Sequence, residues 1–169
     1  MGEWIEAIGN PWVIIVLLTF VPGLELRASI PYGILVAKLP WLAVVGAACL
    51  ANVLIGPMTY FALERFLHLL LRIRLVDWLW QRMIVRTRKK LQPVIARHGV
   101  WGLSVFIGIP LPGTGVYSGA VGGYLLGLNR RQVYIASAAG VLIAAAIVTA
   151  VVLTGSEIFS FLIKPPAAS

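Results

Sequence analysis

Val21-Pro22-Gly23-Leu24-Glu25-Leu26-Arg27 interrupts an apolar stretch that runs from residue 11 to residue 39. The halves on either side, 11–21 and 28–39, are both short. A helix needs about 20 apolar residues to cross a bilayer core of ~30 Å. A helix over 11–21 reaches only about 16 Å, near the midplane. Pro22 and Gly23 disfavour simple continuation of the helix. The stretch therefore reads as a hairpin that enters and leaves the membrane on one side. A second break, Ile109-Pro110-Leu111-Pro112-Gly113-Thr114-Gly115, separates 100–109 from 116–128 in the same way. Irregular backbone at membrane depth is tolerated only where protein buries it or where it lines a polar cavity. Both breaks are thus candidate sites.

Composition agrees with a membrane chain. The 169 residues are 60% hydrophobic and only 12% charged. Mean hydropathy is +0.93. A soluble globule carries roughly 25% charged residues. The length suits one membrane domain over 1–169. Glu3 and Glu6 stand where a removable leader would be basic, so no signal peptide is expected. The lone Cys49 rules out an intramolecular disulfide, and its apolar surroundings predict simple packing.

Two full-length spans complete the pattern, 41–63 and 131–155. A shift of ninety residues carries Pro22-Gly23 onto Pro112-Gly113, Gly33 onto Gly123 and Leu35 onto Leu125. It also carries the first span onto the second. The expected fold is all-α and integral to the membrane. Repeat 1 (11–63) and repeat 2 (100–155) each pair a re-entrant helical hairpin with a transmembrane helix. A basic amphipathic helical segment (64–98) joins them. Each unit crosses once, so the second starts on the opposite face and the repeats are inverted. Discontinuous helices meeting at the midplane of inverted repeats are a transporter design.

Charge orients this arrangement. Arg65, Arg72, Arg74, Arg82, Arg86, Arg88, Lys89, Lys90 and Arg97 lie within 64–98, and Arg130 and Arg131 fall on the same side. The opposite side holds only Lys38 and Lys164. The positive-inside rule places 64–98 in the cytoplasm and both termini outside. Arg65, His68 and Arg72 share one helical face and Leu67, Leu70 and Leu71 another, which predicts an interfacial helix holding anionic headgroups. A third span would bury Arg72, Arg74 and Asp77 at a cost of several kcal/mol. No nucleic-acid motif accompanies the +8 net charge.

Glu25 and Arg27 are ionisable groups at depth, which by default suggests function. They either pair with each other and neutralise the loop or act on a ligand. An extended backbone puts them on one side, whereas a helix separates them by about 200°. The return arms are expected to begin near Ala28 and Val116, with free N–H groups facing the midplane. Two such ends and Arg27 would form an anion site, to which Ser29, Thr114, Tyr117 and Ser118 add hydroxyls. Pro22, Gly23, Pro110, Pro112, Gly113 and Gly115 shape the tips. Glu25 is then either a lid on the empty site or a coupling carboxylate, with proton or sodium coupling open to it. Ala48, Asn52 and Gly56, like Ala136, Gly140 and Ala144, form small-residue stripes that predict close packing of the spans. Catalysis has no footing: His68 and His98 lack a carboxylate pair, and no metal spacing, nucleophile elbow or phosphate loop occurs.

The two break motifs resemble the signatures of the prokaryotic family known as small multidrug export proteins, distant relatives of the DedA/SNARE-associated membrane proteins. The resemblance covers about Trp12 to Gly155. Arg27-x-x-x-Pro31-x-Gly33 resembles the Arg and Pro signature of DedA proteins, which brings Pro31 into the candidate site. Pro110-x-Pro112-Gly113 resembles their Pro-x-Pro-Gly-Glu, with Thr114 in place of the acidic residue. The resemblance implies a two-hairpin inverted-repeat fold in the cell membrane of a prokaryote. Relatives that move lipids imply a transporter or flippase for an anionic lipid, such as a phospholipid or undecaprenyl phosphate. Two other readings stand beside it. One is export of small cationic drugs, with Glu25 as the binding group. The other is a non-transporting scaffold. No cofactor is expected, membrane lipids are the expected partners, and the surface left around two hairpins and two spans has room for a homodimer.

Overall fold

A computed structural model describes residues 9–70, 97–111 and 114–163. The described residues are helical, with no strand among them. The elements are α1 (Pro11–Phe20), α2 (Glu25–Pro31) running into a wider π-helical turn (Tyr32–Val36), α3 (Trp41–Leu70), α4 (97–108), α5 (Val116–Leu125) and α6 (Arg130–Ile163).

Local chemistry sets each boundary. Asn10 caps α1, its Oδ1 accepting from Trp12 N–H at 3.0 Å, and Pro11 fills the first helical position, where no donor is needed. Val21 is extended because Pro22 follows it. Gly23 then turns the chain at φ 88°, and Leu24 and Glu25 donate to Val21 O at 3.1 and 3.2 Å. That closed turn lets α2 begin at Glu25 rather than near Ala28, three residues earlier than expected. Pro31 withholds a donor from the carbonyl four residues back, and the helix widens immediately after it. Asn129 and Gln132 cap α6 reciprocally: Asn129 Oδ1 accepts from Gln132 N–H and Gln132 Oε1 accepts from Asn129 N–H, both at 2.9 Å.

Two stretches, Trp41–Phe66 and Arg130–Gly155, are long and apolar enough to cross a membrane. Their outward faces are apolar too: Leu42, Leu50 and Leu142 are all exposed. So much exposed hydrocarbon marks a surface meant for something other than water. The helix of the first span continues through Leu70, so the start of the basic segment extends the span. The rest of that segment, 71–96, lies outside the described residues, as do both termini and the tip residues Pro112 and Gly113.

The core joins all the helices. Ile15, Leu26, Ile30, Val44, Ala48, Ile55, Ile107, Val116 and Val141 are buried together. Gly140 lets α4 press against α6: a Cβ there would sit 2.5 Å from Ile107 Cβ and 2.8 Å from Ser104 O. With helices packed this closely, the breaks after α1 and α4 meet each other: Glu25 and Val116 are buried at the contact, while Val21, Leu24, Ile109 and Leu111 stay exposed.

Candidate functional site

Each break ends where a return helix begins, and the two return helices start beside each other. Glu25 opens α2 with a left-handed φ of 47°, and its side chain is 4% exposed. Such a conformation costs about 1–2 kcal/mol in a residue with a Cβ. It points the carboxylate at the other return helix, where Glu25 Oε2 accepts from Val116 N–H, the first residue of α5, at 3.2 Å. Gly115 precedes it at φ 132°. A Cβ on Gly115 would lie 2.7 Å from both Glu25 carboxylate oxygens. The backbone angle requires glycine there, and any side chain would also push the Glu25 carboxylate aside. The carboxylate therefore occupies the place at a helix N-terminus where an anion is stabilised.

Arg27 faces the second break. Nη1 donates to Leu111 O at 2.6 Å. Nη2 lies within bonding distance of Ile109 O (3.2 Å), Thr114 O (2.9 Å) and Thr114 Oγ1 (2.9 Å). The forked guanidinium suits this cluster of carbonyls, which the broken helix turns toward one point. The Thr114 hydroxyl ties the loop internally, 2.5 Å from Ile109 O and 2.7 Å from Leu111 O, and accepts from Leu111 N–H at 3.2 Å. The reverse bond comes from Tyr117, whose hydroxyl donates to Phe20 O at 2.6 Å. Arg27 and Tyr117 correspond under the ninety-residue shift. Each return helix thus donates a side-chain bond to the carbonyls of the opposite break.

A family described as "Putative small multi-drug export protein" has a model that matches residues 25–147. The chain belongs to this family. No curated protein and no solved structure matches it. With two apolar helices of spanning length, membership makes it a membrane protein of an export family. The family match begins at Glu25 and includes Arg27, Thr114, Gly115 and Tyr117, the residues through which the two breaks hold each other.

Not every sequence candidate in this family member joins that contact. Glu25 and Arg27 do not pair: the described ion pair joins Arg130 and Glu64. The pairing reading needed extended backbone, whereas Glu25 is left-handed and turns its carboxylate to Val116 while Arg27 faces the second break. Ser29 belongs instead to the α1–α2 seam. It accepts from Thr19 Oγ1 at 2.8 Å, while that hydroxyl also lies 2.7 Å from Ile15 O. Ser118 bonds locally to Gly115 O at 3.2 Å. Pro31 lies in α2 and acts on the helix rather than at the contact. Pro22, Gly23 and Pro110 sit in the breaks themselves.

Two features go beyond the sequence reading. Asn52 reads as a packing residue, yet it is 1% exposed and neither of its amide atoms has a partner. Ser137 Oγ is in the same state and lies against Gly56, one turn from Asn52. Unpaired polar groups in an apolar interior are destabilising by roughly 1–3 kcal/mol each. The signal available was that Asn52 is the one carboxamide within 41–63. The second feature is a cavity of about 220 Å³ lined by Phe20, Ile55, Met58, Thr59, Ala62 and Tyr117. Met58 is 58% exposed, so this cavity opens on the apolar flank, with the Tyr117–Phe20 bond at its inner wall. Among the described residues no three His, Cys, Asp or Glu side chains gather as metal ligands.

Proposed function

We propose that this protein exports small lipophilic cations, exchanging them at Glu25. The observation that carries the reading is a buried carboxylate seated on the end of a neighbouring helix, in a cradle only glycine leaves open. A carboxylate in a low-dielectric interior attracts a cation far more strongly than it would in water. Its bond to Val116 N–H holds the two return helices together while no substrate is bound. A cation, or a proton, competes for the same oxygens and weakens that hold. Arg27 is engaged by the carbonyls of the second break and forms no direct ion pair with Glu25. The apolar cavity beside Phe20, Met58 and Tyr117 offers an aromatic and thioether lining suited to a greasy cation arriving from the bilayer. Asn52 and Ser137, whose polar atoms are unpaired, are the groups nearest in kind to complete a ligand shell once the breaks separate.

In this reading the breaks are the tips of two re-entrant hairpins in inverted repeats, with 64–98 on the cytoplasmic face. The reciprocal bonds of Arg27 and Tyr117, related by the ninety-residue shift, support the repeat. The phosphate-lipid reading gains less support. Its anion donors are Arg27 and the α5 N-terminus, and both are already bonded within the chain.

Proteoliposomes with an imposed pH gradient test the proposal, with tetraphenylphosphonium as the probe. Wild type accumulates the ion, and Glu25→Gln does not. Equal accumulation by both proteins sinks the assignment. Movement of undecaprenyl phosphate without movement of the cation replaces it with the flippase reading.

A further inference from the structure

A second cavity lies away from the two breaks, where the end of α3 meets the start of α6. It encloses about 420 Å³ and is lined by Phe61, Glu64, Arg65 and Arg130. Arg130 grips Glu64 with both prongs, Nε to Oε1 at 3.0 Å and Nη2 to Oε2 at 2.8 Å. Oε1 accepts a hydrogen bond, and Oε2 is held by charge alone. Arg65 lines the same cavity and has no partner among the described residues. Two guanidinium groups share one carboxylate, so the cavity keeps one uncompensated positive charge.

The surroundings say which anion suits it. Leu50, Leu54, Met58 and Phe61 follow one another at spacings of four, four and three residues, so they share a face of α3. All four are exposed, and the stripe ends at the cavity wall with Phe61. A ligand with a phosphate head and a hydrocarbon tail meets a cation at one end and an apolar track at the other. Basic pockets between membrane helices hold anionic headgroups by this means, and a guanidinium matches two phosphate oxygens at once.

We infer that Phe61, Glu64, Arg65 and Arg130 form a binding site for the phosphodiester headgroup of an anionic phospholipid, with an acyl chain lying along Leu54 and Met58. The headgroup site is separate from Glu25, although its acyl track shares Met58 with the cavity assigned to the cation. Glu64 sets its strength, because it neutralises Arg130 and leaves Arg65 as the free charge.

Native mass spectrometry of the full chain in detergent reads the site directly, with equal amounts of dioleoyl phosphatidylglycerol and dioleoyl phosphatidylcholine. Wild type retains phosphatidylglycerol about fivefold over phosphatidylcholine, the selectivity expected of one extra cation at a headgroup. Arg65→Gln removes that preference, Arg65→Lys keeps most of it, and Glu64→Gln strengthens it. Arg131→Gln, an exposed residue at the same end but outside the cavity, leaves it unchanged. Equal retention of the two lipids by wild type overturns the inference. So does a loss in Arg131→Gln as large as that in Arg65→Gln. Displacement of the lipid by an equal concentration of glycerol 3-phosphate also overturns it, since the cavity would then read free phosphate.

Discussion

The first break carries its polar chemistry on charged side chains, Glu25 and Arg27, whereas the second carries it on backbone and on the neutral hydroxyls of Thr114 and Tyr117. The second break offers the carbonyls of Ile109, Leu111 and Thr114 and the N–H of Val116. One break supplies charge and the other supplies oriented dipoles, and neither is satisfied alone. Broken helices leave donors and acceptors unpaired, and in an apolar interior those groups need partners. Here each break satisfies the other. The arrangement is also uneven. Arg27 has four acceptors within reach, while Glu25 holds a single N–H at 3.2 Å. The Arg27 side of the contact is built to stay, and the Glu25 side is built to let go.

That difference ranks the substitutions. Arg27→Ala should be the most damaging, by about 3 kcal/mol, because it removes the charge-assisted bonds that tie α2 to Ile109, Leu111 and Thr114 of the second break. Thermal unfolding in detergent checks this, and Arg27→Lys should recover less than half, since an ammonium cannot fork. Gly115→Ala should follow at about 2–3 kcal/mol, from backbone strain and the clash with the Glu25 oxygens. Its distinguishing sign is loss of cation binding along with stability. Tyr117→Phe removes one neutral bond to Phe20 O and should lower stability by about 1 kcal/mol in the same unfolding experiment. Asn52→Leu should have the smallest effect on stability, neutral or slightly favourable, because an unpaired buried amide is replaced by hydrocarbon. If Asn52 serves the ligand, transport falls in that variant while unfolding does not. A marked loss of stability would instead mean that the amide is paired in the membrane.

Much of this contact was legible in the chain. Pro22-Gly23 and the Pro110–Gly115 stretch announce the breaks because proline and glycine act locally, whatever the fold. Glu25 and Arg27 stand out because charge in an apolar stretch is costly anywhere. The Val116 N–H end and the hydroxyls of Thr114 and Tyr117 were legible too, but the carbonyl partners were not. Arg27 reaches carbonyls more than eighty residues away, and carbonyls have no signature in a sequence. The early start of α2 depends on Glu25 adopting a left-handed angle, which its side chain disfavours and only the completed contact compensates. Likewise α3 runs past residue 63, since the basic residues that suggested an interface are also good helix formers. Asn52 was hidden for the opposite reason: it sits in a stripe of small residues whose packing role accounts for its position.

Proton release on binding tests the exchange at Glu25 most directly. Purified protein in a weakly buffered detergent solution is titrated with tetraphenylphosphonium at a series of falling pH values, and a pH indicator reports the protons freed at the most acidic of them. The exchange predicts about one proton released per bound ion in wild type, as competition at a single carboxylate requires, and none in Glu25→Gln. Binding of the cation with no proton release, or the same release from Glu25→Gln, would contradict it.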